Sequence, residues 1–322
     1  MNTNNRLKKI IATIGITSIV FITSCNAQNG ISKNGFDLSN ASIGVDKILS
    51  GGPGKDGIPA IDNPVFVTKN KSGFIKDTDR VLALEVDGVA KAYPINILNW
   101  HEIVNDKIGD KAFAVTYCPL CGTGAVFSSN IKGKHSRFGV SGLLYNSDVL
   151  LYDDQTESLF SQILSKAISG PLVGEDLTPI VSTHTTWGRW KALHPNTLVL
   201  STATGHVRDY TKNPYGDYGT NRSLYFPAPS SSPDANSFHP KETVIGLKDG
   251  DQIKAYPFSE LDKNEQSEFT DLIDGKAYTI LWDSESKTAQ IKDQTGNVIP
   301  TIQGFYFAWI AFYPDSLIYK TK

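Results

Sequence analysis

Tyr117-Cys-Pro-Leu-Cys-Gly-Thr123 presents two thiols three residues apart, between β-prone runs on either side. Proline restricts φ inside the turn and the trailing glycine tolerates positive φ. Both sulfurs then project the same way, near backbone N–H groups free to donate to them. That geometry suits a soft metal ion or a redox dithiol.

Structural zinc or iron sites usually draw on a second such knuckle, and the one remaining cysteine is Cys25, near the N-terminus. Further ligands must then come from histidine or carboxylate. His101, in Asn99-Trp-His-Glu102, is the leading third ligand beside Cys118 and Cys121; His135, His184, His194, His206 and His239 complete the histidines. Two thiolates and one or two imidazoles suit copper or zinc, and three protein ligands would leave a coordination position open. A metal-free thiol–disulfide protein would use the same pair. However, Gly-Thr-Gly-Ala-Val-Phe127 reads as a turn into a strand, not as the helix start that lowers a redox thiol's pKa. A third reading is an anchored recognition module with a structural disulfide, although so small a loop gains little from closure. The residues do not separate a metal carrier from a metalloenzyme.

A second candidate surface follows the knuckle. Arg137, Ser141, Tyr145, Asn146, Asp148, Asp153, Gln155 and Glu157 place many hydrogen-bonding groups close together, with Ser161 and Gln162 beyond them. Gly139 and Gly142 would let backbone approach a small ligand closely. As a group these residues read as a pocket lining, with Asp153 and Glu157 as candidates for acid–base work; singly, each also fits the wet face of a strand. Gly51-Gly-Pro-Gly54 lacks the Lys-Ser/Thr ending of a phosphate loop, and the serine-hydrolase elbow Gly-x-Ser-x-Gly is absent.

The elements that must position these groups come twice. Alternating apolar residues around Asp87-Gly88 predict a hairpin over 81–94, and the pattern returns over 244–257, both ending in Lys-Ala-Tyr-Pro. Residues 110–117 match 275–282, and 190–199 match 309–318. Three blocks in one order predict a β-rich α+β fold of two related halves from an internal duplication. The first copy spans 46–205 and carries an insertion; a Tyr/Pro-rich loop, 206–240, leads to a degenerate second copy over 241–322. Thr185-Thr-Trp-Gly-Arg-Trp190 predicts a short helix with threonine near its cap and tryptophans in the core. The Tyr-rich loop is expected over the junction, as a pocket rim. In the second copy Asp283-Ser-Glu-Ser286 replaces the knuckle, Tyr313 replaces His194, and no histidine follows Lys-Ala-Tyr-Pro. A fold that stands without Cys118, Cys121 and His101 does not need them for folding, which points to function.

Residues 1–24 read as a lipoprotein signal peptide: Arg6, Lys8 and Lys9 precede an apolar run that ends in Thr23-Ser-Cys25. Cys25 is the expected lipidation site, and acyl chains there would anchor the protein to a membrane. Residues 25–45 read as a flexible tether. The expected location is the cell envelope, on the periplasmic or outer-membrane face. Of the 322 residues, 40 % are hydrophobic and 20 % charged, which excludes disorder for the bulk of the chain. A net charge of −2, without a Lys/Arg stripe in the mature chain, argues against nucleic acid as a partner.

Residues 117–123, 138–148 (Phe-Gly-Val-Ser-Gly-Leu-Leu-Tyr-Asn-Ser-Asp), 152–158 (Tyr-Asp-Asp-Gln-Thr-Glu-Ser) and 185–187 (Thr-Thr-Trp) resemble the bacterial family labelled domain of unknown function 3179. The resemblance runs over roughly 46–320. It implies export or lipid anchoring and an importance for these motifs, and it assigns no reaction. The expected protein is an envelope lipoprotein with a copper or zinc site on Cys118, Cys121 and His101, for metal binding or metal-dependent redox chemistry.

Overall fold

The computed structural model describes residues 31–321; the expected signal peptide, 1–24, and Cys25 lie outside the described residues. As expected, the fold is β-rich, with four α-helices of seven residues each among the described residues.

The hairpin Arg80–Val86/Val89–Pro94 forms because Asp87 and Gly88 both take positive φ (51° and 76°), the twist a two-residue turn needs. Helix Ile95–His101 follows directly, then the hairpin Ile103–Ile108/Lys111–Cys118 and the strand Thr123–Ser128. Later in the first stretch, strand Thr183–Thr186 pairs antiparallel with Arg80–Val86. Helix Trp187–Leu193 follows, and Leu198–Leu200 returns parallel to Val89–Pro94. Thr186 Oγ1 caps that helix at Arg189 N, and Trp187 and Trp190 are buried, as the sequence predicts.

The second stretch runs through the same elements. Thr243–Asp249 and Gln252–Pro257 form a hairpin, helix Phe258–Asn264 follows, then Glu268–Ile273, Lys276–Asp283 and Thr288–Lys292. Ile302–Phe305 pairs antiparallel with Thr243–Asp249, helix Tyr306–Phe312 follows, and Leu317–Ile318 lies parallel to Gln252–Pro257. Side-chain contacts repeat as well. Lys91 and Tyr93 both bond to Asp106, and Lys254 and Tyr256 both bond to Asp271. Trp190 Nε1 donates to Thr197 Oγ1 and Trp309 Nε1 to Ser316 Oγ, each at 2.8 Å.

The two stretches share one sheet. Gln303 pairs with Gly124, so the strands of the second stretch continue those of the knuckle. At a second seam Thr288 donates to Thr185 and Gln290 to Thr183.

Between these repeated elements the first stretch adds a further sheet, in the order Lys166–Ser169, Leu159–Ser161, Asp148–Asp153, Phe138–Tyr145, Ile48–Ser50. It covers the knuckle and has no counterpart in the second stretch. Part of the expected tether is docked on it: Phe36 and Leu38 are each 1 % exposed, packed with Ile48, Leu143 and Leu159. Ala41, Ile43 and Val45 pack against the same cluster, so several apolar side chains hold the segment down. Among the described residues no helix is long and apolar enough to cross a membrane.

Candidate metal centre

Strand Lys111–Cys118 delivers Cys118, a tight turn follows, and Cys118 pairs with Thr123 as the chain returns. Gly122 at φ 59° closes the turn, and a Cβ there would meet the Phe305 ring at 2.9 Å, so glycine is required twice over. The turn is docked on the second stretch by Phe305 N–H donating to the Cys121 carbonyl at 2.7 Å. Both cysteines are free thiols and are buried.

The group that joins them is Asp148. The ligand atoms of Cys118, Cys121 and Asp148 all lie within 4.8 Å of one another, and all three residues are buried. Asp148 arrives by a tight hairpin: Asn146 (φ 48°) and Ser147 (φ 67°) make a two-residue turn, and Tyr145 pairs with Asp148 across it. The Ser147 carbonyl lies 3.7 Å from Cys118 Sγ. Thr123 Oγ1 sits 3.0 Å from Asp148 Oδ1 and 2.6 Å from Gln162 Oε1, and Ile163 N donates to Asp148 Oδ2. Burial pushes the Asp148 carboxyl up to about 7, against the N–H donated by Ile163, and likewise raises Cys118 and, further, Cys121.

More ionisable groups surround the cluster. Glu102, in the turn after the first helix, is buried and raised by burial to about 8; Tyr215 Oη donates to it at 3.3 Å. Lys241 Nζ donates to the Tyr218 and Ser223 carbonyls and lies 3.3 Å from the Tyr218 ring centroid. Burial lowers Lys241 to about 8, and the nearby Cys121 opposes that shift. Among the described residues the Tyr218 hydroxyl is buried without a hydrogen-bond partner. The Tyr-rich loop thus lies over the site, as its composition suggested.

His101 is engaged elsewhere. The Pro59 carbonyl can only accept, so Nδ1–H donates to it at 2.8 Å and Nε2 accepts from Tyr210 Oη at 2.7 Å. Burial lowers this imidazole to about 4. Both nitrogens are used, and the third ligand atom near the sulfurs is a carboxylate oxygen.

Of the eight side chains singled out in the insertion, only that of Asp148 joins the cysteine cluster. Arg137 lies at the surface, paired with Asp62 and Asp154. Ser141 Oγ is buried and donates to the Leu150 carbonyl. Tyr145 and Asn146 line a separate cavity of about 290 Å3. Asp153 accepts from Gln155 N, Thr156 N and Ser158 N and so holds its own turn, while Gln155 bonds to Asp154. Glu157 pairs with Lys55 at the surface. Glu102, Tyr218 and Lys241 were not singled out from the sequence. Glu102 stood next to His101 in a motif already noted, whereas Tyr218 and Lys241 reach the site only through long-range packing.

Fold and site together define a β-rich α+β protein with a buried Cys/Cys/Asp cluster at the seam of two similarly built stretches. The sequence profile described as protein of unknown function DUF3179 matches residues 55–316, and the chain belongs to that family. No curated protein and no solved structure matches it significantly.

Proposed function

We propose that this is an envelope lipoprotein that holds one soft metal ion on Cys118, Cys121 and Asp148. The observation that carries this reading is the convergence of three buried potential ligands within 4.8 Å. Two sulfurs bound tetrahedrally to one zinc ion at roughly 2.3 Å each stand about 3.8 Å apart. A single ion can therefore engage all three groups after small side-chain movements. Two soft sulfurs with one hard oxygen favour zinc, with copper second. With both thiols and the carboxyl ionised, a divalent ion leaves the centre at −1, which the Lys241 ammonium balances. Without an ion, the same groups sit in a low-dielectric pocket that favours their neutral forms.

The thiol–disulfide reading is less well supported, because burial raises both thiols, opposite to the lowering that activates an attacking cysteine. The repeated elements and repeated side-chain contacts support an internal duplication whose first copy, 46–205, carries the centre and whose second, 241–322, has lost it. The sequence of residues 1–25 supports lipid anchoring at Cys25.

The test is metal content by mass spectrometry on the full-length chain, purified without a metal-affinity tag. About one equivalent of zinc or copper is expected, lost in Cys118→Ser and retained in His101→Ala. A metal-free chain that stays metal-free after challenge with both ions would overturn the proposal.

A further inference from the structure

Beside the knuckle lies a cavity of about 200 Å3 whose wall includes Leu120, the residue just before Cys121, and Val149, the residue after Asp148. The wall is apolar apart from Glu102 and the two phenols of Tyr215 and Tyr225. Glu102 is 6 % exposed, and among the described residues it has one side-chain partner, Tyr215 Oη, and no cation beside it. A carboxyl in an apolar wall without a cation is costly to ionise.

The fold does not demand this arrangement. Glu265 occupies the same place after the third helix, also with positive φ (56°), and it is exposed. The burial of Glu102 comes from elements absent around Glu265: the inserted sheet, through Val140 and Leu144, and the Tyr-rich loop, through Tyr215 and Phe226. The chain has therefore roofed one of two equivalent carboxyls with aliphatic and aromatic side chains while leaving room beside it.

We propose that this cavity binds a small alkyl- or arylamine, its ammonium paired with Glu102 and facing the rings of Tyr215 and Tyr225. A carboxylate supplies the missing counter-charge, aromatic faces attract the same cation, and the aliphatic walls take the hydrocarbon part. The ligand's role as a molecule held next to a metal ion rests on the function proposed above, whereas its binding does not.

The experiment is calorimetric titration of the full-length chain with cyclohexylamine and with cyclohexanol, its neutral counterpart. It is run on the metal-free protein and on Cys118→Ser, so that ligation of a metal cannot produce the signal. Expected is one-site binding of cyclohexylamine at least tenfold tighter than of cyclohexanol, equal in wild type and Cys118→Ser. Glu102→Gln, which keeps a polar group for Tyr215, should lose at least tenfold for the amine and little for the alcohol. Tyr225→Leu, at a side chain 55 % exposed, should weaken the amine selectively without threatening folding. Equal affinity for amine and alcohol, an amine affinity unchanged in Glu102→Gln, or binding of neither probe would each overturn the proposal. None of these results bears on metal content.

Discussion

Asp148→Asn separates the metal reading from a purely structural one, because the hydrogen bonds around this side chain have a fixed direction. Thr116 Oγ1 donates to the Ala125 carbonyl, so it must accept from Gln162 Nε2. Gln162 Oε1 then accepts from Thr123 Oγ1. That hydroxyl has spent its one proton and can only accept from residue 148, while Ile163 N needs an acceptor on the same side chain. Asparagine supplies both, so the metal-free variant should match the wild type to within about 1 kcal/mol. A bound ion, by contrast, loses one of three ligands and a negative charge. Affinity should fall at least ~100-fold, the upper end of what the loss of an outer partner costs. With metal at 100 times the wild-type Kd, stabilisation drops from about 2.7 to about 0.4 kcal/mol. At roughly 2–4 °C per kcal/mol, about 5–9 °C of the metal-induced rise in Tm disappears. Scanning calorimetry of both proteins with and without zinc reads this directly. An undiminished metal-induced rise in the variant, or a metal-free variant several kcal/mol less stable, would refute the reasoning.

Three further outcomes follow from the same geometry. His101→Ala removes the bonds to Pro59 and Tyr210 and should cost about 2–4 kcal/mol in chemical denaturation, with metal content unchanged; loss of metal would return His101 to the ligand set. Burial, with the Arg80 charge adding, holds His184 down at about 3. Between that value and about 6.5 the unfolded chain binds the extra proton, so stability falls as pH falls, by about 2 kcal/mol at pH 5. His184→Gln should lose that portion of the pH dependence, and parallel wild-type and variant curves would contradict it. In Gly304→Ala the new Cβ would stand 2.4 Å from Thr123 Cγ2 and 3.2 Å from the Cys121 carbonyl. It should destabilise by about 1–3 kcal/mol and loosen metal binding together; metal affinity left intact would show that the seam does not position the knuckle.

Much of the frame was legible because its signals are local. The Asp-Gly turn, the strand–turn–strand reading of the cysteine motif and the Thr-capped helix each depend on a few adjacent residues, and each formed as read. The site was only half legible. The sequence named both sulfurs, but it ranked a histidine above a carboxylate because imidazole is the commoner companion of thiolates. Asp148 stood among eight polar residues of similar appearance; what distinguishes it is its place just after a two-residue turn aimed at Cys118. Lys241 follows a proline in an unpatterned segment, and nothing local marks its ammonium as buried. Residues 31–45 read as a tether because their large apolar side chains, Ile31, Phe36, Leu38, Ile43 and Val45, are spaced too unevenly to make a period.

The docking of the knuckle on the second stretch also sets an order in time. Cys118 and Cys121 are made early, but the backbone that closes over them, Phe305, comes near the end of the chain. At about 5–20 residues per second, synthesis leaves the thiols without that cover for on the order of ten seconds or more. During that interval they are more exposed to an arriving ion or to an oxidant than in the folded chain, where both are buried. Strand Ile302–Phe305 thus completes the cover of a turn whose two sulfurs were made much earlier.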